Sequence, residues 1–288
     1  LRVVTKPGDR ILINSPVYQN FYNWLNEVKL EKVDIPFINS GSQSDDVNPW
    51  TLDLDEVEKA YASGIRVHLL CSPHNPLGRI YSRAELTRIA DMAKKYGVIV
   101  ISDEIHSPLV FKGHEFVPFL AINETAREVG ITVTSASKGW NIAGLKSALI
   151  VSQNAAIDEV LALMPPAVKF RSSILGAFAS AAAFKDGGMW LDSVLATLQE
   201  NSVMVRDLLS AKLPSVKTHL PQSSYVAWLD LTSLNLGENP AQTLLERGKV
   251  AFNAGHMYGA QSSQFVRLNY ATSPTILTEA IDRIVKSL

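Results

Sequence analysis

The polar side chains that could do chemistry in this sequence share one setting, because each lies at or just after the end of a short apolar run. They supply an amine, a carboxylate, an imidazole, an amide and an aromatic ring, on Lys138, Asp103, His106, Asn75 and Tyr18. Five different groups at equivalent places along the chain suggest that a common arrangement of strands brings them together.

These groups match the requirements of pyridoxal 5′-phosphate (PLP). A lysine amine condenses with the aldehyde of PLP, and a carboxylate keeps the pyridine nitrogen protonated, so that the ring accepts electrons. A hydrogen-bond donor tunes the phenolic oxygen, and an aromatic side chain stacks on the ring. Hydroxyl groups such as those of Ser135 and Ser137 bind a phosphate, together with backbone N–H groups and a cation.

The apolar runs are predicted to be the strands of one sheet. The runs at 10–14, 67–71, 98–102 and 131–135 are separated by segments with helical periodicity. Strands that are apolar on both faces and alternate with helices are typical of a largely parallel sheet covered by helices on both sides. Ligands bind beyond the carboxyl ends of such strands. We therefore predict that four strand ends form a single site.

The pattern of the sequence changes after residue 153. Ala-rich helical segments and a long amphipathic segment precede two alternating segments and a last amphipathic helix, which predicts a smaller α+β domain. We predict a large cofactor-binding domain at residues 1–186 and a small C-terminal domain at 187–288. A turn and a strand follow almost directly after Leu1, so we expect that the chain begins inside the large domain.

Composition limits the classes of function. The 288 residues are 47% hydrophobic and carry a net charge of -1, with acids and bases interspersed, so we expect no nucleic-acid partner. No apolar run reaches the roughly 18–20 residues of a membrane span, so no membrane segment is expected. The single cysteine, Cys71, favours a reducing compartment and predicts a cytoplasmic protein. No metal site is predicted, because no ligand spacing connects His68, His114, His219 and His256.

Four motifs resemble, in order and spacing, the class I and II aminotransferases, a PLP-dependent superfamily of fold type I. They are SPHNPLG at 72–78, SDEIH at 102–106, SASKGWNIAGL at 135–145 and FVRLN at 265–269. The histidine of the second motif and the asparagine of the third resemble the cystathionine β-lyase branch, also called C–S lyases of the MalY/PatB type. The resemblance covers essentially the whole chain, and it implies the fold-type-I architecture and PLP as cofactor.

The resemblance implies a role for each residue of the site. Lys138 would condense with the cofactor aldehyde and remove the substrate α-proton. Asp103 would pair with the pyridine nitrogen, and Asn75 would donate to the phenolic oxygen. Tyr18 would stack on the ring and contact the substrate. Arg267 would bind the substrate α-carboxylate through a two-pronged salt bridge.

Three of the implied assignments have alternatives. His106 stands where many aminotransferases have a tyrosine, and it either reaches the phenolic oxygen or braces the site from behind. Ser135 and Ser137 would both face the phosphate, and position in the motif favours Ser135. Lys146 stands near the place of a phosphate-binding arginine in many relatives, and it is either a point charge for the phosphate or a surface lysine.

The resemblance implies a PLP-dependent carbon–sulfur lyase that acts on a small amino-acid substrate. β-Elimination of cystathionine or a related cysteine S-conjugate would give a thiol, pyruvate and ammonia. An aminotransferase is the alternative, because both reactions need the same residues. A second alternative is a catalytically impaired fragment or regulatory protein that keeps the fold, since the family chain carries an N-terminal segment that is absent here. Family members are usually homodimers, so we expect a homodimer.

Overall fold

The computed structural model describes residues 1–41 and 48–288. Its strands are β1 (Arg10–Ile13), β2 (Glu31–Asp34), β3 (Ile38–Asn39), β4 (Trp50–Thr51), β5 (Val67–Cys71), β6 (Ile99–Asp103), β7 (Gly130–Thr134), β8 (Leu149–Ser152), β9 (Val226–Asp230), β10 (Asn253–Ala254) and β11 (Phe265–Asn269). Its helices are α1 (Asn20–Val28), α2 (Leu54–Ala62), α3 (Arg83–Tyr96), α4 (Glu124–Val129), α5 (Ala155–Ala162), α6 (Pro166–Phe170), α7 (Ile174–Asp186), α8 (Gly188–Lys212), α9 (Pro240–Gly248) and α10 (Pro274–Ser287).

The central sheet has the strand order β2-β1-β5-β6-β7-β8. The strands β2, β1, β5, β6 and β7 are parallel, and β8 runs antiparallel to β7. Every residue of β5 is buried, as expected for a strand that is covered on both faces. This arrangement confirms the predicted α/β class with a mostly parallel sheet between helices. It also places the carboxyl ends of β1, β5, β6 and β7 side by side.

The helix between β5 and β6 shows how local sequence builds this sheet. α3 begins with a capping box, in which Ser82 Oγ accepts from the Glu85 N–H at 3.2 Å and the Glu85 carboxylate accepts from the Ser82 N–H at 2.8 Å. The helix ends at Gly97, whose φ of 68° is a left-handed conformation that favours glycine. One apolar face of α3 packs in the core, through Leu86, Ile89, Ala90, Met92 and Ala93.

The C-terminal part contains a second, antiparallel sheet with the order β10-β11-β9. α8, α9 and α10 contribute apolar residues to the core of this part, which also includes Leu109 and Phe111 from the loop after β6. The predicted boundary at residue 186 falls at the junction of α7 and α8. Because the shared core joins the loop after β6 to the C-terminal helices, the division into two domains stays a prediction.

The structure differs from the sequence interpretation at strands whose bounds are set by pairing with distant parts of the chain. A strand was predicted at 33–38, but β2 lies at Glu31–Asp34, because its pairing with β1 aligns Arg10 with Glu31. Ile38 and Asn39 pair instead with β4. The short helix α6 was not predicted. Most of the polar loop predicted at 39–49 lies outside the described residues.

In the described part of the chain, none of the helices combines the length and the apolar character that a membrane crossing requires.

Candidate active site

The four parallel strands bring the predicted site residues to one edge of the sheet. Tyr18 follows β1, Asn75 follows β5, Asp103 ends β6 and Lys138 follows β7. The strand ends are in register, because Cys71 of β5 pairs with Asp103 and Asp103 pairs with a residue of β7. Strand order therefore places these four residues at the same edge of the sheet.

Lys138 lies in a cleft of about 330 Å³. Its Nζ is 5.8 Å from the centroid of the Tyr225 ring, which lines the same cleft. The remaining lining includes polar residues, Ser137, Asn141 and Asn269. It also includes large apolar residues, Leu109, Trp190, Val194 and Leu198. The cleft thus holds the Lys138 amine within a lining of mixed polarity.

Asp103 has the chemistry of a partner for a buried cation. Its carboxylate accepts a hydrogen bond from the Ile105 N–H at 3.2 Å. Burial raises the pKa of Asp103 to about 6, although the Ile105 N–H and the positive charge of Lys138 act in the opposite direction. A desolvated carboxylate is stabilised in its ionised form by a cation beside it. The protonated pyridine nitrogen of PLP is such a cation, so this residue fits the cofactor.

Arg267 is linked to the cofactor side of the site through Asn75. The guanidinium donates from Nη1 to Asn75 Oδ1 at 3.0 Å and from Nη2 to Asn253 Oδ1 at 2.9 Å. It also lies 5.1 Å from the centroid of the Tyr258 ring. Its Nε is a buried donor that has no hydrogen-bond partner among the described residues. Such donors are rare in folded proteins, and this one suits an anionic ligand such as a carboxylate.

The two serines before Lys138 are bonded to each other. Their Oγ atoms are 2.6 Å apart, and Ser135 Oγ accepts from the Ser137 N–H at 3.0 Å. Ser135 Oγ also donates to the Ser147 carbonyl oxygen at 2.6 Å, whereas Ser137 lines the cleft. Lys146 is exposed, and it is absent from the described lining of the cleft. The structure therefore brings the serine pair to Lys138 but leaves Lys146 at the surface.

The Tyr18 side chain is fixed by contacts with residues of α1. Its Oη accepts a hydrogen bond from Asn20 Nδ2 at 2.8 Å. Its ring packs edge-on against Phe21 and Trp24, with centroids 6.5 and 6.3 Å away. The side chain is half-buried.

His106 is buried and neutral. Its Nδ1 lies 3.0 Å from Ser224 Oγ, and its ring is 5.7 Å from the Tyr225 ring. Burial lowers the pKa of His106 to about 3, and the positive charges of Lys138 and Arg267 act in the same direction. The bond to Ser224 gives His106 the contact that a bracing role requires, and it uses only Nδ1 of the ring.

Sequence reasoning missed Tyr225, Ser224 and Asn253. Tyr225 stands before an alternating strand, where an aromatic residue is usually part of the core. Ser224 lies in a short polar segment that resembles an ordinary turn, and Asn253 ends a short segment that was predicted to be extended. No local signal separates these residues from structural ones, because their contacts with Lys138, His106 and Arg267 arise only in the folded chain.

Comparison with known proteins places the chain in a family. It matches the family model of aminotransferase class I and II over residues 1–284. It is 36% identical over 286 residues to the cystathionine beta-lyase of Corynebacterium glutamicum, with 99% of this chain and 73% of that protein covered. It is 31% identical to cystathionine beta-lyase PatB of Bacillus subtilis, with 100% of this chain and 74% of that protein covered.

A solved structure agrees with these relatives. The crystal structure of cystalysin from Treponema denticola, which contains a PLP cofactor, superposes with a TM-score of 0.90 at 28% identity. The superposition covers 99% of this chain and 72% of cystalysin. Both findings confirm the predicted resemblance. The chain therefore belongs to the class I and II aminotransferase family.

Proposed function

We propose that the protein is a PLP-dependent carbon–sulfur lyase. It would catalyse β-elimination of cystathionine or related cysteine S-conjugates to a thiol, pyruvate and ammonia. The observation that carries this proposal is the identity, along the whole chain, to relatives named cystathionine beta-lyase. The arrangement of Lys138, Asp103, Asn75 and Arg267 at one edge of the sheet supports it.

The residues at the strand ends are proposed to hold the cofactor. When bound, PLP supplies an aldehyde that condenses with amines and a ring that withdraws electrons from the substrate Cα. Lys138 would provide the amine, and Asp103 would pair with the pyridine nitrogen. Asn75 already accepts from Arg267 through its carbonyl oxygen, so its NH₂ group is proposed to donate to the phenolic oxygen. Tyr18 would lie against the ring.

The phosphate of PLP is proposed to bind beside the serine pair. The Ser137 hydroxyl lines the cleft, and the Ser135 hydroxyl contacts it directly. Hydroxyl and backbone N–H groups are common phosphate ligands. A contribution from Lys146 would require its exposed side chain to turn toward this corner of the site.

Arg267 is proposed to bind the substrate, and Lys138 is proposed to carry out the proton transfer. Arg267 would bind the α-carboxylate, using the unpartnered Nε together with its Nη groups. Lys138 Nζ would then remove the proton from Cα and hold it while the thiolate leaves Cβ. A fixed carboxylate keeps Cα in place for this transfer, because two parallel hydrogen bonds set both position and direction.

An aminotransferase is the second candidate. The family description favours it, because the chain matches the family model of class I and II aminotransferases almost to its end. The same four residues would serve amino transfer. The two reactions differ in whether the bond from Cβ to sulfur breaks, so the product mixture distinguishes them.

We also propose a homodimer. The segment from α5 to the start of α8 exposes large apolar side chains, with Phe170 85%, Ile174 71% and Phe178 70% exposed. α7 buries only Gly176 among its own residues, although its sequence is strongly apolar. Exposed apolar surface of this extent is typical of protein interfaces. We propose a second copy of the chain as the partner at this surface, because members of this family are usually homodimers.

A cytoplasmic location is proposed on the basis of cysteine use. The single cysteine, Cys71, is buried and free. Its Sγ accepts a hydrogen bond from the Asn75 N–H at 3.4 Å. Burial raises the pKa of its thiol, which keeps the thiol protonated and unreactive. A free thiol next to the active site is consistent with a reducing compartment.

The test of the lyase is a product balance. The purified protein with PLP would be incubated with cystathionine and with an S-alkyl cysteine, and thiol and pyruvate would be measured side by side. Equal amounts of both products support the lyase. Amino transfer to a 2-oxo acid without thiol release supports the aminotransferase. Neither activity from a folded, PLP-binding protein would refute both and support the regulatory alternative. Lys138→Arg serves as the control that keeps the positive charge.

A further inference from the structure

The segment just before β9 is bonded to the loops that follow β5 and β6. The Gln222 N–H donates to the Gly78 carbonyl oxygen at 2.8 Å, and the Ser224 N–H donates to the Leu109 carbonyl oxygen at 2.8 Å. Two active-site loops therefore fix the position of residues 222–225. The side chain that this segment presents to the cleft is that of Tyr225.

Ser224 adopts a backbone conformation that residues with a side chain rarely choose. Its φ is 79°, in the left-handed region that favours glycine. Its carbonyl oxygen accepts from Tyr270 Oη at 3.3 Å, and its Oγ bonds to His106 Nδ1 at 3.0 Å. Such conformations persist where the surroundings determine them, and they are common at functional sites. The turn here directs Ser224 and the following side chain toward the same histidine.

The Tyr225 ring lies close to both that histidine and Lys138. It is 5.7 Å from the His106 ring and 5.8 Å from Lys138 Nζ. The Tyr225 carbonyl oxygen accepts from the Tyr270 N–H at 3.0 Å, which fixes the backbone below the ring. A cation within about 6 Å of an aromatic centroid is attracted to the ring face. His106 is neutral, since burial lowers its pKa to about 3, so it does not repel the ammonium.

We propose that Tyr225 is a positioning residue for Lys138. Its ring holds the Lys138 ammonium at the strand-end edge, and the bond between Ser224 and His106 holds the ring. The role rests on the proposed function only in assuming that Lys138 is the reacting amine. Tyr225 belongs to the C-terminal part of the chain and contacts the amine of Lys138, which follows β7. Strand order places Lys138 at the edge of the sheet but does not fix the position of its amine.

The first test measures the lysine itself in the full chain without cofactor. The protein is labelled with trinitrobenzenesulfonate, and the labelling rate of Lys138 relative to the exposed Lys146 is followed by peptide mass spectrometry. Tyr225→Leu should raise this ratio about two- to fivefold, because the cation–π attraction that restrains the amine is lost. Tyr225→Phe keeps the ring face, so its ratio should stay close to that of the wild type. A ratio unchanged in folded Tyr225→Leu overturns the proposal.

Ser224→Gly tests the brace and replaces the leucine variant should that variant fail to fold. Glycine accepts a φ of 79° without strain, so the substitution removes the hydroxyl and keeps the backbone. The labelling ratio should rise in the same direction as in Tyr225→Leu but by a smaller factor, because the ring remains present but less fixed. An unchanged ratio shows that the Ser224–His106 bond does not hold the ring, and where this variant replaces the leucine variant it overturns the whole proposal.

The second test separates positioning from substrate binding in the PLP-loaded enzyme. Tyr225→Leu should lower kcat on the order of tenfold and change KM by less than about threefold, because Arg267 still binds the carboxylate. Tyr225→Phe should restore kcat. A change confined to KM would overturn the positioning role. If the wild-type protein shows no lyase turnover but Tyr225→Leu raises the labelling ratio, the proposed function fails and the positioning role stands.

Discussion

Asp103→Asn should stabilise the cofactor-free protein near neutral pH, although it removes the proposed partner of the pyridine nitrogen. Burial raises the pKa of Asp103 to about 6, against a usual value of 3.8. That difference corresponds to about 3 kcal/mol of folding free energy. The side chain keeps some exposure, so we expect about 2 kcal/mol at pH 7.5.

The sign follows from proton binding in the two states. Well below its usual pKa of 3.8 the carboxyl group is protonated in the folded and in the unfolded chain, so it costs nothing. As the pH rises to about 6, the unfolded chain releases the proton that the folded chain retains, and the unfolding free energy falls. Asparagine cannot ionise, so the advantage of Asp103→Asn should grow over this interval and then level off.

The assay is urea unfolding of the cofactor-free protein at pH 4.5 and pH 7.5, followed by circular dichroism. Asp192→Asn, at an exposed position of α8, is the matched control and should change stability by less than about 0.5 kcal/mol at either pH. Added PLP should make the wild type more stable than Asp103→Asn. PLP binds beside the carboxylate, so it stabilises the wild type more than the variant. An advantage that is equal at both pH values would refute the burial argument, and equal stabilisation by PLP would refute the pairing with the pyridine nitrogen.

Three further outcomes are expected. Lys138→Ala should lose the visible absorbance band that the wild type forms with PLP and that borohydride fixes; a band that survives in the variant would place the reactive amine elsewhere. Arg267→Lys should raise KM at least tenfold with a smaller effect on kcat, because an ammonium cannot replace a two-pronged guanidinium contact, and steady-state kinetics with cystathionine would show it; an unchanged KM would contradict the role in carboxylate binding. Phe178→Glu should shift the protein from dimer to monomer in size-exclusion chromatography with light scattering, and a retained dimer would exclude this surface as the interface.

Features that depend on neighbouring residues were predicted well from the sequence. The capping box of α3 needs only Ser82 and Glu85, and the glycine that ends the helix follows in the same segment. The buried strand β5 was predicted with its observed bounds, because a continuous apolar run leaves few alternatives. The meeting of Tyr18, Asn75 and Asp103 followed from one rule, that parallel strands place their carboxyl ends at one edge.

Contacts between distant segments could not be predicted in the same way. Arg267 and Asn75 are 192 positions apart, and their hydrogen bond depends on how the second sheet packs against the strand-end loops. Ser224 and His106 are 118 positions apart, and their contact needs a left-handed residue that the sequence does not reveal. The family resemblance supplied a role for Arg267 but none for Tyr225, because the resemblance rests on motifs and Tyr225 lies outside them.

Asp103, which ends β6, and Glu104, which follows it, belong to one motif but are proposed to serve different purposes, cofactor binding and structure. Successive residues of a strand face opposite sides of the sheet, so Ser102 and Asp103 of β6 point to opposite sides, and Glu104, which follows the strand, bonds on the side of Ser102. Glu104 accepts hydrogen bonds from Ser102 Oγ at 2.9 Å, the Phe119 N–H at 2.8 Å and Thr132 Oγ1 at 3.3 Å.

Glu104→Gln should therefore behave like Asp103→Asn in stability and unlike it in function. Burial raises the pKa of Glu104 to about 7, so its ionisation also destabilises the folded chain as the pH rises. Glutamine keeps the accepting oxygen and removes the charge, and it should add about 2–3 kcal/mol at pH 8 with PLP binding and turnover unaltered. Urea unfolding and PLP titration of both variants give the comparison. If Glu104→Gln weakens PLP binding as much as Asp103→Asn does, the two carboxylates are not separated by the sheet as the strand geometry requires.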